Sequence, residues 1–224
     1  MLRLCRLIAC LCLPALSAAC GGTAKPIRAT DAAVETARYR SDGPASVTLF
    51  TVRSTTTGGG AHAGLMISGS ERVLFDPAGS FGHPRAPERN DVHYGVTGEV
   101  ESVYIDYHAR ETYDVEVLTL GVTRVEADDL IGAVEAHGAV PRAQCALAIT
   151  RVLRRSPRFR SVPVTFFPNA ASRAFAALPG VERRLVSDSD ADANDGVLIR
   201  AGADHRGDGT RTAERALLQA RTMR

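Results

Sequence analysis

Gly58-Gly-Gly-Ala-His62-Ala-Gly-Leu-Met-Ile-Ser68 is the stretch from which the fold is read. A glycine-rich loop lets the backbone approach a ligand closely and then runs into a strand carrying Leu65, Met66 and Ile67. A second strand follows over 72–78, with Asp76 in Val-Leu-Phe-Asp76-Pro-Ala-Gly. Two hairpins are open to this pair. A two-residue loop, Gly69-Ser70, sets Ala63 opposite Asp76 and turns the carboxylate away from His62. A three-residue loop, Gly69 to Glu71, sets Asp76 opposite Gly64 and diagonally on the His62 face. The three-residue loop is expected. Gly64 lies two residues beyond His62 on the same face, and so leaves space beside the imidazole.

Working outward, the runs 46–53, 61–67, 72–78, 92–97, 100–107 and 113–119 are rich in Val, Tyr, Thr and Ile and predict strands. Gly and Pro clusters at 58–60, 77–87 and 95–98 punctuate them. The pattern changes after Gly121. Thr123-Arg-Val-Glu126 predicts a capping box, followed by a helix with Leu130, Ile131 and Val134 on one face and Gly138 as its stop. A second helix, after Ala139-Val140-Pro141, runs to about Arg155 and buries Ala146, Ile149, Val152 and Leu153; its last turn carries Arg151, Arg154 and Arg155. A third, short helix is expected from Asn169, with Phe175 and Leu178. The class is α+β, an antiparallel sheet packed against a few helices.

Residues 1–19 read as a secretory signal: Arg3 and Arg6 precede the apolar run Leu7 to Leu16, which is about half the length that spans a bilayer. Leu-Ser-Ala-Ala-Cys20 resembles the bacterial lipobox, which implies lipidation of Cys20; Leu16 sits one place further out than usual. The alternative is an ordinary signal cut near Ala19. The lipobox resemblance implies a chain held at the cell envelope, on the outer membrane facing the periplasm. Cleavage there leaves 25 basic against 25 acidic residues, so no nucleic-acid partner is implied. Lys25 is the single lysine. Residues 20–44 suit a spacer, 45–200 one domain, and 201–224, dense in Gly, Asp and Arg, are expected to be a flexible tail despite a brief helical pattern near 213–221.

Five cysteines are present, of which Cys5, Cys10 and Cys12 leave with the signal. With Cys20 acylated, Cys145 has no partner, and a lone thiol in an oxidising compartment asks for burial or use. It falls in the first or second turn of the second helix, where free amides favour a thiolate and can donate to an oxyanion. The competing reading is a small apolar residue sharing helical spacing with Ile149 and Val152. His62 is the candidate base, or a structural strand histidine. Asp76 is its candidate orienting group, or a turn residue before Pro77. Gln144 sits beside the thiol, and Tyr104 falls on a strand open to the cleft; the favoured readings are a solvated helix residue for Gln144 and a half-buried strand aromatic for Tyr104.

The glycine-rich lead-in, the strand His62-Ala-Gly-Leu-Met-Ile67, a next strand with a polar residue and a later cysteine at a helix start resemble the circularly permuted papain-like group. That group includes lecithin retinol acyltransferase and relatives of the NlpC-type cell-wall endopeptidases. His62 precedes Cys145, which is the permuted order, and the resemblance spans roughly residues 46–180. It implies Cys145 as nucleophile, His62 as base and Asp76 as third polar residue, although many relatives place His or another polar residue there. It further implies a thioester intermediate, with no cofactor or metal. Peptidoglycan stem-peptide amides and lipid or protein acyl groups both remain as substrate classes. Two other readings stand beside it. Asp188-Ser-Asp-Ala-Asp-Ala-Asn-Asp-Gly196 alternates carboxylates like a calcium loop, but Ala193 and Ile199 occupy the glycine and closing glutamate positions, which favours a solvated acidic loop. The scaffold could also serve a non-catalytic envelope lipoprotein.

Overall fold

A computed structural model describes residues 28–194 together with 197 and 198. Cys20, the signal and the 201–224 tail lie outside the described residues. The elements run in the order α1 (Asp31–Ala37), β1 (Ser46–Ser54), β2 (Gly60–Ser68), β3 (Arg72–Phe75), β4 (Glu88–Arg89), β5 (Val92–Tyr94), α2 (Gly98–His108) and β6 (Tyr113–Gly121). After these come α3 (Arg124–Glu135), α4 (Cys145–Leu153), a 3-10 turn (Pro157–Phe159), α5 (Pro168–Ala176) and β7 (Glu182–Val186). The fold is α+β. Its sheet has seven strands in the order β4-β5-β3-β2-β1-β6-β7, with every pairing antiparallel.

Successive strand residues face opposite sides, and both sides are covered. On one face Val47, Leu49, Leu65, Ile67 and Leu118 pack with Leu130 and Val134 of α3, Ile149 and Val152 of α4, and Phe175 of α5. On the other, Phe50, Met66, Leu74, Val115 and Val117 pack with Val100, Tyr104 and Tyr107 of α2. Cover on both sides explains why β1 and β2 read as near-continuous apolar runs and not as a clean alternation.

The α2 segment corrects the strand expected over 100–107. Its β-branched and aromatic residues suggested a strand, but Val100, Tyr104 and Tyr107 share one helical face. Thr97 caps that helix by accepting from the Val100 amide, with Glu99 and Glu101 in the first turn. The cap and the tertiary cover outweigh local propensity. The capping box of α3 is formed as expected: the Thr123 amide donates to Glu126 Oε2 at 3.0 Å and the Glu126 amide to Thr123 Oγ1 at 3.2 Å.

Two further segments differ from their sequence reading. Within the stretch read as a spacer, α1 buries Val34 and ties to the body through Arg38 with Glu71 and Asp31 with Arg89. The acidic loop is fastened, not merely solvated. Arg110 donates to Asp106 at 3.1 Å and Asp190 at 3.3 Å, and Thr112 donates to Asp192 at 2.9 Å. Asp106, Asp188 and Asp190 do cluster, with the Arg110 guanidinium already bonded to two of the three.

Candidate active site

The β2–β3 hairpin builds the first half of the site. Ser68 pairs with Arg72 and Leu65 with Phe75, so the loop is the three residues 69–71 and Asp76 falls opposite Gly64. The carboxylate then reaches the His62 face, and His62 Nε2 lies 2.7 Å from Asp76 Oδ1. Pro77, which has no N–H, ends β3. Pairing on that side of β2 stops at Leu65, leaving residues 60–64 with an open edge.

The start of α4 meets β2 at that open edge. Ala143 adopts a left-handed φ of +61°, Gln144 follows at φ −115°, ψ 15°, and Cys145 is the first residue of the helix. A non-glycine residue in the left-handed region costs about 1–2 kcal/mol, which the surrounding packing must hold. Gln144 gives no side-chain cap, and the first-turn amide of Ala146 turns to the Cys145 thiol instead. The thiol is free and 7 % exposed.

Cys145 and His62 interact directly, and each shifts the other. Burial pushes the thiol up, but hydrogen bonding and charge from His62, together with the Ala63 and Ala146 amides, hold it below its ordinary value. Burial likewise pushes His62 down. The Asp76 carboxylate and its hydrogen bond, reinforced by Cys145, more than offset this and raise His62 to about 10. Burial would raise Asp76, but His62 foremost, with smaller contributions from His108 and His93, keeps it well below the usual carboxylate range. The state these shifts favour is a thiolate–imidazolium pair held by a buried carboxylate.

Two α2 residues complete the site. The Tyr104 hydroxyl donates to the same Asp76 Oδ1 at 2.9 Å. It occupies the space that Gly64 leaves, so the gap read from the sequence beside the imidazole is filled by a phenol. Phe50 and Phe81 hold that ring edge-on, each with centroids 5.1 Å away. His108, a turn further on, donates from Nδ1 to the Tyr104 carbonyl at 2.9 Å and lies near-parallel to the His62 ring at 5.5 Å. Burial first, and then the His62 charge, lower it to about 4 against the pull of Asp76, so it is neutral at physiological pH.

The structure therefore brings His62, Asp76 and Cys145 together, with Gln144 preceding the thiol. Tyr104 belongs to the site, through a helix and not a strand. His108 was missed. Its signal was the four-residue spacing from Tyr104, visible only once 98–108 is read as helix. Donor atoms of His62, Asp76 and His108 lie within 4.8 Å of one another, a set of metal-ligand type, although Asp76 Oδ1 already accepts from two donors.

Comparison with known protein families, with curated proteins and with solved structures finds no match for this chain.

Proposed function

We propose that this chain is an exported, lipid-anchored cysteine hydrolase or acyltransferase of the circularly permuted papain-like type, acting on an amide or acyl bond. The observation that carries the reading is the bonded His62–Asp76 pair beside Cys145 at a helix start, with thiol and imidazole shifted toward their charged forms. The thiolate attacks the acyl carbon, and the leaving group takes a proton from His62. Backbone amides at the helix start receive the oxyanion, and the thioester passes its acyl group to water or another acceptor. Asp76 holds the imidazole, and Tyr104 holds Asp76. Lipidation of Cys20 would place the chain at the envelope, facing the periplasm. Cell-wall peptide amides and lipid or protein acyl groups are the substrate classes.

The second reading, a non-catalytic envelope lipoprotein, is favoured by one observation: the thiol is 7 % exposed. Alkylation by iodoacetamide across pH, on the chain without residues 1–20, separates the two. The enzyme reading expects an apparent Cys145 pKa well below about 8.5 that rises in His62→Ala. On a thioester or amide substrate, turnover in that variant is expected to fall roughly 10²- to 10⁴-fold. Its pH profile in the wild type should rise through the thiol pKa and fall as His62 deprotonates near 10. An inert thiol, or one that titrates normally and ignores His62→Ala, establishes the non-catalytic reading instead.

A further inference from the structure

Charge is unevenly spread along this chain. Between Glu135 and Glu182 there is no acidic residue, while the same stretch carries seven arginines. Six of the seven are exposed on α4, the 3-10 turn and the loops around them, and the seventh, Arg173, is exposed on α5. Arg158 pairs with Glu126, and Asp129 shares a groove with Arg151 and Arg155. Arg142, Arg160 and Arg173 have no ion pair among the described residues, and Arg154 donates to the carbonyls of Arg160 and Val162. The face is therefore positive on a chain whose mature form is neutral.

The same stretch exposes large apolar side chains. Val164 is 48 %, Phe166 55 % and Phe167 72 % exposed, three of the six large hydrophobics so exposed among the described residues. Their position is fixed from both sides. The Thr165 amide donates to Thr150 Oγ1 of α4, and Asn169 Nδ2 donates to the Gly58 carbonyl. A carbon added at Gly60 would lie 2.9 Å from Pro168 Cβ, so the Phe167–Pro168 corner sits on the loop that leads into His62.

We infer that this face docks on an anionic lipid bilayer, with Phe166 and Phe167 entering the interface and the arginines meeting lipid phosphates. Guanidinium groups bind phosphate in a fixed fork, and aromatic rings flanked by cations are the usual composition of an interfacial surface. Phenyl rings carry no polar atom, which favours hydrocarbon over a soluble polyanion that would leave them in water. Arg151 lies near the end of α4, the helix that Cys145 begins, so one helix carries both the thiol and part of this face. This surface stands independently of the hydrolase reading, because none of its residues belongs to the Cys145–His62–Asp76 set.

The chain contains no tryptophan, so Phe167→Trp in the full chain introduces a sole tryptophan, excited selectively over the tyrosines. With vesicles of brominated phosphatidylcholine and phosphatidylglycerol, its emission is expected to shift to the blue and to be quenched. Both effects should weaken with Arg151→Gln, Arg155→Gln and Arg160→Gln combined, and at high salt. Tyr113→Trp is the control: that residue is 36 % exposed and lies beside Glu111 and Asp114, and it should stay unquenched. Emission from the Phe167→Trp protein that is unchanged by anionic vesicles, or changed equally by neutral ones, overturns the inference. Cys145→Ser must leave the signal intact, which keeps failure of the docking surface distinct from failure of the thiol chemistry.

Discussion

A carbon added at Gly64 would collide with the Tyr104 hydroxyl oxygen, and one at Gly79 with Asp76 Oδ2. Neither fits without displacing the group that steadies the imidazole. Gly64→Ala is therefore expected to drive the phenol off Asp76, lowering thermal stability and moving the Cys145 alkylation pKa back toward about 8.5. Tyr104→Phe removes the hydroxyl and keeps the ring. It should cost about 1–3 kcal/mol in urea unfolding, because a buried carboxylate loses a donor, and it should shift the same alkylation profile. A Tyr104→Phe protein that is less stable but alkylates as before would make Tyr104 a packing residue only. At this scale the three residues that the structure brings together were legible, since His, Asp and Cys advertise themselves by type. It did not carry Tyr104's partner, because which carboxylate a phenol meets depends on a helix crossing the sheet.

Among the elements, the hairpin was legible because side-chain alternation has period two: only an odd loop puts Asp76 and His62 on one face. The capping box of α3 was legible because both its partners lie within four residues. Helix α2 was not, since Val, Tyr and Ile in 100–107 favour a strand locally and the Thr97 cap lies outside the run. That cap carries a testable consequence. Thr97→Ala is expected to cost about 1 kcal/mol by thermal or urea denaturation. Because α2 also carries Tyr104 and His108, the variant should lower the Cys145 alkylation rate at neutral pH. Loss of stability with an unchanged rate would mean that α2 holds the site without help from its first turn.

For the whole molecule, buried titratable side chains tie stability to pH. His108 is held near 4 against an ordinary 6.5, so between those values the unfolded chain takes a proton that the folded one refuses. Stability should therefore fall as pH drops from about 6.5 to about 4. Asp76, depressed in the fold, adds its loss only below its ordinary range. Above 6.5, His62 and Cys145 act in opposite senses. The raised His62 loses its contribution as pH climbs to about 10, while the lowered thiol gains one up to its ordinary value. Urea titrations at a series of pH values should show the acid limb in the wild type and a flatter one in His108→Gln. An unaltered limb in that variant would assign it to the carboxylates instead. The overall class was legible in composition and period. The two-sided cover of the sheet was not, because it depends on α2 being a helix.

The attachment of α1 sets a length. Chain order on the body begins no later than Arg28 and Ala29, which bond Glu88 at 2.6 Å and 3.0 Å. If Cys20 carries lipid, eight peptide steps separate the acyl chains from that clasp, or at most about 28 Å of fully drawn-out backbone. A lipid at Cys20 would then hold the body close to the bilayer, where a tethered group meets its surface at about millimolar effective concentration. A docking face held at that distance would need only weak intrinsic affinity to stay engaged, and could release and land again within the same small radius.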